Sequence, residues 1–375
     1  LKSRAVLYNG RVLTQADGLV VGSMAVSRGS IAAVGHRLEH DPDFRRFARI
    51  DLRGRTIIPG LVDAHTHFFW LAKSLAEVSL DGIDSLDKCL NKIKRFADSL
   101  PRGRWVVGNG LLPAGFRKPV EPDRIMLDRV TGGRPAFIFY KDSHSAWVNS
   151  KALSFTQIDS ASPDPPGGRI ERLPDGTPSG ILREAPAYLE LYRSIPPPPK
   201  REMDRFYRRA LETAYRKGVT GVHSFDGPDG FTYLADLAEK EKTGVRINYY
   251  PPAAMLPQLE KTGTRYGIGT DFFRIAGVKV FADGALSSQS ALCFHQYTGS
   301  KANFGIEVTP AAEITRTARR AARLGLPCAI HAIGDRAVSN VLDALEASKT
   351  PRLRHRIEHL QLVRKKDLAR VNRLG

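Results

Sequence analysis

Two histidines one residue apart, His65 and His67, close the run Pro59-Gly60-Leu61-Val62-Asp63-Ala64-His65-Thr66-His67. Side chains at i and i+2 of a strand face the same way, so the two imidazoles can share one ion. Asp63 falls on that face and could hold a histidine ring. Taken alone, the pattern is also met by two ordinary polar residues at a strand end. His331 ends Leu326-Pro327-Cys328-Ala329-Ile330-His331, and His359 ends Arg356-Ile357-Glu358-His359. A lone histidine there is more often a hydrogen-bonded core residue. Two at consecutive strand ends, added to the His65 pair, fit a barrel, whose functional groups gather at the C-terminal ends of its strands. Lys279 interrupts the apolar run Ile275–Ala282. Either it snorkels to solvent or pairs with a carboxylate such as Asp283, or burial keeps the amine neutral and it adds carbon dioxide to become a carbamate able to bridge two cations.

The elements that must position these residues follow from turn signals and periodicity. Residues 1–58 are short apolar stretches broken by glycines, which predicts part of a β-sandwich. From residue 59 onward strand-like and helix-like segments alternate, with strands expected near 56–67, 219–225, 245–251, 274–281, 326–333 and 354–361. Met203, Phe206, Tyr207, Ala210, Leu211, Ala214 and Tyr215 keep helical spacing before Gly218, and Thr309 and Pro310 are expected as N-cap and first residue of another helix. Six parallel strands result, where a closed (β/α)₈ barrel has eight. The expected fold is therefore α/β, a TIM-type barrel over 59–375 with strands 1–6 present. An insert at about 70–200 is expected as a lid or side wall, with a helix near 86–96, a Gly/Pro-rich stretch over 163–180 and a stiff spacer at Pro196–Pro199. Within it Asp142, His144 and Trp147 are candidates for substrate contact; the plainer alternative is a packed tryptophan and a turn held by Asp and Ser.

Several motifs in one order resemble the amidohydrolase-3 branch of the amidohydrolase superfamily, near the N-substituted formamide deformylases. They are the His-Thr-His run, Val278–Leu286, Ile330–Ala337, Arg356–His359, Asp142–Ser150 and Asp164–Ile170. The resemblance implies a divalent metal, zinc above others and one or two ions, held by His65, His67, carboxylated Lys279, His331 and His359. It implies metal-dependent hydrolysis of a carbon–nitrogen bond of non-peptide amide or formamide type by a metal-activated water. The proton-moving Asp of strand 8 would lie beyond Gly375, so no catalytic residue is assigned; neither Asp283 nor Asp335 has a reason to replace it. The competing expectation is a truncated, inactive metal-binding or interaction protein derived from this family.

Composition narrows the remaining classes. The net charge of +18, from 57 Lys plus Arg against 39 Asp plus Glu, favours acidic partners at low salt, but the basic residues are dispersed on helical segments and no groove-reading or base-stacking motif accompanies them. Three unrelated cysteines suggest neither disulfides nor a thiolate zinc site, and point to a reducing, cytoplasmic setting. No apolar run approaches the ~20 residues of a spanning helix. The expected partner is a small-molecule substrate, with no nucleic acid and no membrane; a homo-oligomer is allowed.

Overall fold

A computed structural model describes residues 4–374 apart from 17, 241, 301 and 351. The chain divides into two compact units, Leu1–Val62 with Gly218–Thr220, and Asp63–Lys217 with Gly221–Gly375. In the first, Ser30–Gly35, Ser23–Ser27, Ala5–Tyr8 and Ala48–Asp51 lie side by side in that order, and Val20–Val21, Arg11–Leu13 and Thr56–Ile57 form a second small sheet. Its core holds Ala5, Val6, Val12, Val21 and Ala25, and burial alternates along Ser23–Ala25. Arg28 and Gly29 both take positive φ between two of these strands, as a tight hairpin turn requires.

The second unit carries the strand–helix alternation. Phe273–Ile275, Arg246–Tyr249, Val219–Ser224 and Leu61–Thr66 neighbour one another in that order, and Val278–Phe281, Cys328–Ala332 and Arg356–His359 form a further sheet. The pairings of Val219–Ser224 with Arg246–Tyr249, of that strand with Phe273–Ile275, and of all three strands of the further sheet are parallel. The strand expected at 274–281 is thus broken at Ala276-Gly277, its first half pairing backward and its second forward. Gly277 permits the break: a Cβ there would lie 2.6 Å from the Pro327 carbonyl and 2.6 Å from the Tyr250 ring. Helices Lys200–Arg216, Pro228–Glu239, Ala311–Arg323 and Asp335–Ser348 separate the strands. Ala311–Arg323 starts one residue later than expected, with Pro310 in the N-cap position and no side-chain cap.

The insert departs most from expectation. Val78–Ser79, Val106–Leu111, Ala136–Tyr140, Ser145–Val148, Pro178–Arg183 and Arg169–Arg172 form a six-stranded mixed sheet in that order. The strand Arg169–Arg172 lies inside the Gly/Pro-rich stretch over 163–180, and Pro178–Arg183 begins within it. Helix Leu86–Ser99, capped by Ser85, matches the expected helix, and Pro196–Pro199 separates Ala185–Arg193 from Lys200–Arg216. Among the described residues no helix is long and apolar enough to cross a membrane.

Candidate metal centre

His65 lies on the strand Leu61–Thr66, and His67 follows it as the residue before helix Phe68–Ser74. That helix is pinned from across the unit. Asp226, after the strand Val219–Ser224, accepts from the backbone N–H groups of Phe69 at 3.0 Å and Trp70 at 3.1 Å, while Ser224 Oγ accepts from Phe68 N at 3.2 Å. Free N–H groups at a helix start favour an acceptor there. Burial pushes the Asp226 carboxyl up to about 6 against these bonds. Sequence alone did not point to Asp226, because its partners are 156–157 residues away.

The rings of the four predicted histidines gather. Centroids are 5.9 Å apart for His65 and His67, 4.7 Å for His65 and His359, and 4.6 Å for His331 and His359. His144 reaches the same cluster from the insert, 4.8 Å from His331. Phe225, which sequence did not single out, lies under it, 4.3 Å from the His65 ring and 4.7 Å from the Lys279 amine.

Lys279 is 2% exposed, and its Nζ has no hydrogen-bond partner. Burial depresses its pKa to about 7, with Glu358 opposing the shift and Arg356 adding to it. Asp283 does not pair with it. The Asp283 carboxylate instead accepts from the backbone of Leu292 at 2.9 Å, Ile333 at 3.0 Å and Gly334 at 2.8 Å, which fixes the loops after two strands. His67 Nδ1 is likewise buried without a partner, and burial, then Lys279 and His65, lower this ring to about 3.

Two imidazoles have their tautomers set. His65 Nδ1 lies 2.5 Å from Glu358 Oε2, so it donates there and leaves Nε2 as a lone-pair donor. His331 Nε2 donates to the Gly284 carbonyl at 3.0 Å, which leaves Nδ1 free. Glu358 therefore takes the ring-holding role expected of Asp63, whose carboxylate caps the backbone N–H of His65 at 3.0 Å. Strand alternation would set Glu358 and His359 on opposite faces, but His359 has φ 69°, a kink that turns both toward His65. His359 is the exposed member of the set.

The insert candidates separate. His144 Nδ1 lies 2.8 Å from Glu184 Oε2, and Asp142 Oδ1 accepts from His144 N at 2.9 Å. Glu184 sets the state of the His144 ring: burial lowers its pKa, but the bond and charge of Glu184 outweigh that and raise it. Glu184 itself sits at φ 63° and ψ 156°, a region that costs a residue other than Gly about 1–3 kcal/mol. Trp147 does not face the cluster. It is completely buried in the core of the insert, with Nε1 donating to the Asp123 carbonyl at 2.8 Å, so its substrate-contact role is replaced by a packing one.

A divalent ion fits this donor set in part. His65 Nε2, His67 Nδ1, His331 Nδ1 and the His359 ring are free to coordinate, and an unpartnered amine lies near them. Among the described residues, however, no three His, Cys, Asp or Glu side chains are already grouped to hold a metal.

A family model described as "Amidohydrolase family" matches residues 48–375. The chain belongs to the amidohydrolase family. It is 28% identical over 388 residues to the YtcJ protein of Bacillus subtilis (strain 168), covering 99% of this chain and 71% of that protein. The N-substituted formamide deformylase of Arthrobacter pascens is 30% identical over 384 residues, covering 91% of this chain and 65% of that enzyme. Among solved structures, an uncharacterized metal-dependent hydrolase of Pyrococcus horikoshii OT3 superposes with a TM-score of 0.76 at 28% identity, over 99% of this chain and 73% of that one. The strands and helices described above are thus an amidohydrolase α/β fold with mixed and parallel sheets.

Proposed function

We propose that this amidohydrolase is a metal-dependent hydrolase of a non-peptide amide or formamide C–N bond, and that its parallel strands are strands 1–6 of a (β/α)₈ barrel. The reading is supported most by the buried, partnerless Lys279 amine among His65, His67, His331 and His359. A buried cation without a partner is costly, so the position makes sense as a ligand site rather than as packing. The printed names of the deformylase and of the Pyrococcus hydrolase point the same way.

His65, His67, Lys279, His331 and His359 would hold the cation, and imidazole nitrogens suit zinc. Bound there, such an ion lowers the pKa of a water and polarises a carbonyl. The chain's own residues prepare this. Glu358 and the Gly284 carbonyl fix the rings of His65 and His331, so no reorientation is needed on loading. An amine depressed to about 7 is partly unprotonated at neutral pH, and its nitrogen can add to carbon dioxide, giving a carbamate anion and releasing one proton. The substrate would be a small molecule reaching the exposed His359 side, in a reducing, cytoplasmic setting that three unpaired cysteines suit.

Elemental mass spectrometry on the purified chain, with zinc and bicarbonate supplied, tests this. Wild type should hold about one or two equivalents, and the His65→Ala, His67→Ala double variant should lose them while remaining folded. A folded wild type that binds no metal would make the chain a non-catalytic relative.

A further inference from the structure

Beside His67 lies a cavity of about 310 Å³ whose wall is aromatic. His67 stacks on Trp70 at 5.0 Å, Trp70 on Phe139 at 6.2 Å, and Tyr192 closes the side, 5.3 Å from Phe139. Lys73 lines the same cavity, six residues beyond His67, which at the α-helical rise sets the two backbones about 9 Å apart along the axis. Its Nζ donates to the Tyr192 hydroxyl at 2.8 Å. Among the described residues no carboxylate oxygen lies within ion-pair distance of it, and the Tyr192 hydroxyl hydrogen makes no other bond. The two remaining N–H groups of Lys73 and the O–H of Tyr192 are therefore free donors at one place.

The other charges of the cavity are engaged. Lys141 pairs with Asp81 at 3.3 Å, and Glu77 Oε2 accepts from Asn109 Nδ2 at 2.9 Å. Glu77 is the group that would attract a cation instead. Burial pushes its carboxyl up, toward the uncharged form, as it also pulls the Lys73 amine down. An anion arriving at Lys73 restores charge to the amine and meets a second donor in Tyr192, whereas a cation at Glu77 finds one oxygen already taken.

We propose that this cavity receives the larger substituent of the scissile amide, and that the substituent has a flat apolar body with an anionic group at its far end, bound by Lys73 and Tyr192. The aromatic wall accommodates the body, and the spacing from His67 to Lys73 demands an anion well removed from the reacting nitrogen. The inference rests on the hydrolase reading above, and its test separates the two.

Binding of 4-(aminomethyl)benzoate, benzylamine and 4-(aminomethyl)benzylamine to the full chain is measured by calorimetry, and hydrolysis of their N-formyl derivatives is followed in parallel. The carboxylate compound should bind wild type about tenfold or more tightly than benzylamine, as a charge-assisted contact allows. Lys73→Met should remove that advantage, Lys73→Glu should reverse it, and Tyr192→Phe should remove part of it. Equal affinities in wild type, or preference for the dication, overturn the inference. Preference without hydrolysis of any formamide keeps the anion site at Lys73 and Tyr192 but overturns its assignment to a scissile amide, along with the hydrolase reading. Hydrolysis without preference keeps the hydrolase reading and overturns the anion site.

Discussion

Asn149 in the insert and Lys279 at the strand ends are both buried polar side chains, 1% and 2% exposed, and the protein treats them differently. Asn149 makes every bond it can. Its Oδ1 accepts from Ala136 N and Ala152 N, and its Nδ2 donates to Thr131 Oγ1 and the Arg134 carbonyl, all between 2.8 and 3.1 Å. Lys279 makes none, and His67 Nδ1 and Glu184 Oε1, the latter on the carboxylate that holds His144 beside His331, are also buried without hydrogen-bond partners. Since buried polar groups in folded proteins are nearly always satisfied, a concentration of unsatisfied ones marks where the fold serves something other than its own stability. The insert core around Asn149 and Trp147 is satisfied by its own bonds, and the unsatisfied groups collect at the strand ends.

Substitutions at the two places should therefore have opposite consequences. Trp147→Ala removes a fully enclosed indole and its bond to Asp123, and is expected to cost about 3–5 kcal/mol of stability by urea unfolding. A loss under 1 kcal/mol would show that the insert core is loose. Lys279→Met should be neutral, or stabilising by about 1–4 kcal/mol, because it removes an uncompensated buried amine, while abolishing metal uptake. Strong destabilisation by this change, with metal content intact, would mean that Lys279 is structural and that the contrast with Asn149 is spurious. Glu358→Gln should sharpen the picture. It keeps the shape but removes the anion that fixes the His65 tautomer, and titration with zinc should show about 10–100-fold weaker binding with little change in melting temperature.

The same contrast explains what the sequence could and could not disclose. Histidines at strand ends were legible because period-2 alternation and the repeated strand–helix order give each one an address, and Lys279 stood out against an apolar strand. Trp147 was misjudged because a core aromatic and a substrate-facing one leave the same trace in a motif. The strands of the insert were not legible in part because Pro178 and the glycines at 167, 168, 176 and 180 mask period-2 alternation across the Gly/Pro-rich stretch. Gly180 takes φ 92° inside a strand, and a Cβ there would meet the Val148 carbonyl at 2.4 Å, so that glycine serves strand packing rather than a turn. Glu358 was hidden by the assumption of regular alternation, which the positive φ of His359 breaks.

Asp226 tests the comparison most finely, since it is a satisfied buried carboxylate that belongs to the strand-end region and acts only by holding the helix after His67. Its carboxyl is raised to about 6, from an unfolded value of about 3.9. Between about pH 4 and pH 6 the folded chain keeps a proton that the unfolded chain has released. This contribution to stability is fully present below about pH 4 and is lost as pH rises through about 6. Asp226→Asn keeps one acceptor for the two helix N–H groups and cannot titrate. It should cost about 1 kcal/mol near neutral pH, as loss of a helix cap does, and the deficit should grow as pH falls from about 6 to about 4. Denaturant unfolding of both proteins across that range measures the difference between them, in which the other carboxylates cancel. A deficit that shrinks on acidification would mean that Asp226 is held ionised, and that the backbone donors of Phe69 and Trp70 outweigh its burial.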